Sequence, residues 1–170
     1  MSEKNYLDIL IANCQAAKQA VCIKDFILTN ESELEGINSA IYIIREIDGD
    51  SQITFEAFKR FKQEQKEKKE RNKKNMGVKE DVLLCPKLNK PSEVLYVGSS
   101  IKKLKNRLNQ HIKNTNNDTY ALRLQEWFSG QYEVQIKVYN VTRDVLQLIE
   151  DSLSFDLNPA FGKKGSNNKL

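Results

Sequence analysis

A chain of 170 residues, 39% of them hydrophobic, is long enough to bury one proper core and too short for two large domains. The formal net charge of +4 is too mild to name a partner, but nine Lys or Arg against three Glu between Lys59 and Lys74 gather the positive charge in one segment. Cys14, Cys22 and Cys85 are odd in number and unpaired in spacing, which argues against a disulfide framework or a zinc site and for a reducing, cytoplasmic setting; no apolar run approaches the roughly 18 residues of a membrane span.

In chain order, residues 5–21 set Tyr6, Leu7, Leu10, Ile11, Cys14, Ala17 and Val21 at helical spacing. The apolar, β-branched run Ala40-Ile41-Tyr42-Ile43-Ile44 within residues 37–47 reads as a strand covered on both faces, closed by the turn signal Asp48-Gly49-Asp50. Residues 54–75 read as a helix. Phe55, Phe58 and Phe61 dock its first turns, and Glu64, Glu67 and Glu70 stand four residues before Lys68, Arg71 and Lys74. No apolar stripe follows Phe61 until Met76, so the distal half is expected to project into solvent as a charged arm that contacts nucleic acid or nothing at all.

Val94-Leu95-Tyr96-Val97-Gly98 is the second strand, ending at Gly98-Ser99-Ser100, and Ile101, Leu104, Leu108 and Ile112 then mark an amphipathic helix. A further helix is expected over 119–128, a strand with one wet face where Tyr132, Val134, Ile136 and Val138 alternate with polar residues, and a last helix over 142–155 closed by Asn158-Pro159. The expected fold is α+β: a small three-stranded central sheet flanked by helices, with a charged helical insertion between the first two strands. The corresponding divisions are an N-terminal helical extension (1–36), the main domain (37–162), the insertion within it (49–93) and a tail (163–170).

Arg107 and His111, the single histidine, lie four apart on one helix and border its apolar stripe. Glu150 falls between Leu146 and Leu153 on an apolar helix face, where an ionised carboxylate is costly unless paired or metal-bound. Tyr42 and Tyr96 each occupy the middle of an aliphatic strand. Taken singly, each has a bland reading: an incidental helix pair, a structural ion pair of Glu150 with Arg107, two core aromatics. Together, in this order, they are the residue types that phosphodiester hydrolysis needs.

Ala40-Ile41-Tyr42 resembles the first signature of the GIY-YIG nucleases and Tyr96-Val97-Gly98 the second, with Arg107, His111 and Glu150 matching the arginine, histidine and metal-binding glutamate of that family. The resemblance spans about residues 38–162. It departs from the family in two places: the signature tyrosines are 54 positions apart, and Gly162 stands where many members have an asparagine, with Asn158, Asn167 and Asn168 near but displaced.

The resemblance implies a metal-dependent DNA endonuclease of restriction type, compact because 170 residues leave little room for a separate reading domain, and a homodimer if its sites are palindromic. Glu150 would hold Mg²⁺ or another divalent cation such as Mn²⁺, Arg107 the scissile phosphate, Tyr42 would serve as general base with His111 accepting its proton, and Tyr96 would position water or phosphate. Lys66, Lys69, Arg71 and Lys73 of the insertion, with Lys102 and Lys103, are the candidate DNA contacts. The alternative is a non-catalytic nucleic-acid-binding or assembly module on the same scaffold, suggested by Gly162.

Overall fold

The computed structural model describes residues 5–163; the expected tail beyond Lys163, with Asn167 and Asn168, lies outside the described residues. Helix α1 (Tyr6–Gln19) leads into strand β1 (Lys24–Ile27), a 3₁₀ turn (Glu31–Leu34) and strand β2 (Ser39–Ile47). Helix α2 (Ser51–Lys74), strand β3 (Val94–Ile101), helix α3 (Leu104–Ile112), the single turn α4 (Leu124–Trp127), strand β4 (Gln131–Val138) and helix α5 (Arg143–Leu157) follow. The strands form one antiparallel sheet in the order β1-β4-β2-β3.

The α+β class agrees with the expectation, but the sheet has four strands and not three. The added strand, β1, is Lys-Asp-Phe-Ile, too short and too charged to stand out from its flanks. It is made by its partner: Phe26 lies opposite Ile136, and Asp25 accepts from Gln135 Nε2 at 2.7 Å and pairs with Lys137 at 2.5 Å. The helix expected over 119–128 shrinks to α4, because Arg123 takes a left-handed backbone (φ 54°) and Ala121 and Leu122 are buried in irregular chain before it.

Alternation along β2 divides the core in two. Ala40, Tyr42 and Ile44 face Phe58 and Phe61 of α2, Leu104 and Leu108 of α3, and Phe161; Ile41 and Ile43 face Val145, Leu146 and Ile149 of α5, with Ala17 of α1 beside them. A β-bulge in β3, where Ile44 pairs with Tyr96 but Arg45 with Val94, leaves Leu95 as the extra residue and puts Leu95 and Tyr96 on the same face.

Helix α2 starts at Asp50, whose carboxylate caps the N–H groups of Gln52 and Ile53. Its distal half is not bare. Residues after Gly77 fold back along it: Leu83 N–H donates to the buried Gln65 Oε1 at 3.0 Å, Lys62 Nζ to the Pro86 carbonyl at 2.6 Å, and Arg71 makes a two-pronged pair with Glu80. None of the three expected Glu-to-cation i,i+4 pairs is among the ion pairs of the described residues; Glu70 takes Lys73 instead, at 2.9 Å. The returning chain then bridges Leu88 to Phe161, and Asn89 Nδ2 donates to the Pro159 and Gly162 carbonyls, so the inserted segment is sewn to the turn after α5. No helix among the described residues is long and apolar enough to cross a membrane.

Phe58 is fully buried, with ring centroids 4.3 Å from Phe161 and 4.8 Å from Trp127. Phe58→Ala is expected to cost about 3–5 kcal/mol in chemical denaturation, whereas Met76→Ala, at a wholly exposed position, should stay within about 0.5 kcal/mol of the parent.

Candidate functional site

Gly98 of β3 lies opposite Tyr42 of β2, and a Cβ there would run into the Tyr42 ring. Only glycine lets the phenol pass over the edge strand. Through the bulge, Tyr96 reaches the same face, its ring nearly parallel to that of Tyr42 (12°, centroids 6.2 Å apart). Helix α3 crosses this face and brings the third ring, His111, to 4.3 Å from Tyr96 and 5.4 Å from Tyr42. On the opposite face, Ser99 points toward α5 and donates its hydroxyl to Glu150 Oε2. The site therefore wraps around the exposed edge of β3.

All five residues singled out in the sequence come together here. Tyr42, Tyr96, Arg107 and Glu150 line a cleft of about 690 Å³ with Ser100, Lys103, Asn106, Gln110, Arg143 and Gln147, and His111 backs Tyr42 from the core. A second lobe of about 580 Å³ shares Tyr96, Arg107, Gln147 and Glu150 and is bounded by Lys87, Tyr120, Gly162 and Lys163.

His111 is fully buried and its protonation is readable from its partners. Leu122 N–H donates to Nδ1 at 3.2 Å, so the neutral ring carries its proton on Nε2, which faces Tyr42 Oη at 3.1 Å. Burial, then the nearby Arg107 and Arg123, holds its pKa well below the usual histidine range. The ring is a donor to Tyr42, which reverses the expectation that it accepts the phenol proton. Burial, followed by Tyr96, pushes the Tyr42 pKa well above its ordinary value, while Arg107 acts in the opposite sense.

Arg107 does not pair with Glu150. Its Nη1 donates to Gln110 Oε1 at 2.7 Å and its Nη2 to the Tyr120 carbonyl at 2.9 Å, and it also reaches the two phenols. Glu150 forms none of the salt bridges among the described residues, and burial raises its pKa against the bonds from Ser99 and Gln147. A half-buried carboxylate that accepts from neutral partners, has no ion pair among the described residues and opens on a polar cleft suits a hard divalent cation that keeps several waters.

Of the six candidate DNA contacts, one lines this cleft. Lys103 lines it, and Lys102 is exposed on the left-handed turn just before α3. Lys66 and Lys69 border a separate groove between α2 and residues 82–88, while Arg71 and Lys73 are committed to Glu80 and Glu70. Gly162 has φ +104°, and a Cβ there would come within 2.8 Å of Tyr96, so this backbone has no room for a side chain at that position. Asn158 is the left-handed cap of α5, away from the residues that line the cleft.

The sequence reading missed Ser99, Gln147 and Arg123. Ending the second strand at Gly98 hid that Ser99 continues it and faces α5. Gln147, one turn before Glu150, was open to the same helical argument, whereas nothing local marks Arg123.

Residues 87–151 match the family model of the GIY-YIG catalytic domain. No curated protein and no solved structure matches the chain. The match holds Tyr96, Arg107, His111 and Glu150 but not β2, which the inserted segment separates from it; the β2–β3 ladder restores Tyr42 to the same cleft. That match, over residues 87–151, and that pairing support membership of the GIY-YIG nuclease superfamily.

Proposed function

We propose that this protein is a metal-dependent DNA endonuclease that hydrolyses phosphodiester bonds, of the compact restriction type. The observation that carries the reading is the convergence of two phenols, a guanidinium and a carboxylate outside any ion pair on one cleft at the edge of β3. Glu150 is the residue that would hold Mg²⁺ or Mn²⁺, with Ser99 orienting its carboxylate. A divalent cation there supplies positive charge against the charge that develops at phosphorus.

Arg107, anchored by Gln110 and the Tyr120 carbonyl, presents its fork to the phosphate. Tyr42, its own phenolic proton released to water in the cleft that it lines, takes the proton of the attacking water as its phenolate, which His111 Nε2–H and Arg107 both favour. Burial, Tyr96 and the Glu150 carboxylate oppose that phenolate, so positive charge at Glu150 and ionisation of Tyr42 are coupled. Tyr96, stacked beside Tyr42, positions the water or a phosphate oxygen.

Plasmid DNA incubated with Mg²⁺ or Mn²⁺, with and without EDTA, tests the reading directly. Binding without any cutting would favour the alternative, a non-catalytic module, for which the side-chain-free wall at Gly162 is the one supporting observation. A palindromic site would imply a homodimer.

Glu150→Gln is expected to abolish cleavage, and it has a second readout. Because the folded-state pKa of Glu150 is raised, the unfolded chain releases the proton first as pH climbs through the ordinary value of about 4.3, and the cost to stability is complete above the raised value. In EDTA the variant should therefore melt higher than the parent at neutral pH, with the gain fading toward about pH 4. Mg²⁺ should then raise the Tm of the parent and not of the variant. An equal response of both to Mg²⁺ would remove Glu150 as the ligand.

Tyr42→Phe keeps the ring in the core and deletes only the hydroxyl, and a loss of at least about a hundredfold in turnover is expected. Turnover equal to the parent's would return Tyr42 to a packing role.

The groove of α2 extends the proposed DNA contact beyond the cleft. Lys66→Gln with Lys69→Gln should make the slope of log K against log salt shallower by up to about 0.9 per lost phosphate contact, in Ca²⁺ to suppress turnover. Arg71→Gln with Lys73→Gln should change it less, since those cations already face Glu80 and Glu70. Identical slopes for all three proteins would exclude the groove from the DNA path.

A further inference from the structure

Arg123 is the largest of the fully buried side chains, and no carboxylate pairs with it among the described residues. A guanidinium stays charged even when burial lowers its pKa, so this is an expensive group to enclose. Its bonds go to the chain just before it. Nη2 donates to the Thr119 carbonyl at 2.6 Å and to the Asn117 carbonyl at 3.3 Å, Nη1 to Asn114 Oδ1 at 3.4 Å, and Nε has no partner.

Residues 114–119, Asn-Thr-Asn-Asn-Asp-Thr, have no apolar anchor and no regular structure. Left alone, such a segment would sample many conformations. Yet residues 120–122, just beyond it, deliver two groups to the cleft: the Tyr120 carbonyl, which holds Arg107, and the Leu122 N–H, which holds His111 Nδ1. A small displacement of Leu122 would free Nδ1. The ring could then carry its proton on either nitrogen, and a bare Nε2 would accept from the Tyr42 hydroxyl instead of donating to it.

We propose that Arg123 is a positioning residue: by gathering the carbonyls of residues 117 and 119 it sets the 114–122 segment, and through Leu122 it keeps His111 in the tautomer that donates Nε2–H to Tyr42. The consequence for turnover rests on the nuclease reading. The tautomer does not.

His111 is the single histidine of the chain, so a long-range ¹H–¹⁵N correlation spectrum of the ¹⁵N-labelled protein reports one imidazole. The parent is expected to show a neutral ring with its proton on Nε2. Arg123→Gln should move both nitrogens toward the averaged shifts of mixed tautomers, with Arg123→Lys in between, because one ammonium cannot hold the two carbonyls and also reach Asn114 Oδ1, which the guanidinium meets with a second nitrogen. If Arg123→Gln does not fold, Arg123→Lys and Asn114→Ala carry the same readout, the latter at an exposed position. A parent ring protonated on Nδ1, or folded Arg123 variants with the parent's imidazole pattern, would overturn the proposal. Where the parent cuts DNA, kcat of Arg123→Lys should fall about tenfold with affinity in Ca²⁺ held; where the parent does not cut, the spectra alone decide.

Discussion

Tyr42 stands opposite Gly98 across the β2–β3 ladder, and the rest of the site is built outward from that register. Side chains in a strand alternate, so a slip of one residue would send Tyr42 to the α5 face and an isoleucine to the cleft. The register is held from three directions: by the ladder itself, by burial of Ile41 and Ile43 on one face and Ala40 and Ile44 on the other, and by the absence of a side chain at Gly98. The bulge at Leu95 completes it, turning Tyr96 to the same side as Tyr42.

Around that pair, polar groups are supplied by backbone as much as by side chains. Leu122 N–H decides which nitrogen of His111 carries the proton, and the Tyr120 carbonyl decides where the Arg107 fork points. Both come from irregular chain next to the carbonyls of residues 117 and 119, which accept from the buried Arg123. Glu150 is the converse, a half-buried carboxylate that makes no ion pair among the described residues and accepts from Ser99 and Gln147. The carboxylate makes no ion pair among the described residues, whereas both nitrogens of the histidine meet a partner.

The inserted segment plays two parts. Its first turns give Phe58 and Phe61 to the core, while its returning strand-like stretch borders the cleft with Lys87 on one side and the α2 groove with Leu83 and Leu84 on the other. The cleft and the groove thus share residues 82–88 as a wall.

Much of this was legible in the sequence because it is local. The β-branched run at 40–44, the helical spacing of Leu104 and Leu108 and the apolar neighbours of Glu150 follow from periods of two and 3.6, and the resemblance to the GIY-YIG signatures then singled out Tyr42, Tyr96, Arg107, His111 and Glu150. The strand Lys24–Ile27, the fold-back of residues 78–89 on α2 and the donor role of His111 could not. Each is set by a partner distant in the chain: β4 for the strand, Gln65 and Glu80 for the fold-back, Leu122 and the carbonyls around Arg123 for the histidine. Periodicity records which face of an element is buried, but not which donor or acceptor from elsewhere meets a polar group on it, and at this site that pairing determines where the protons sit.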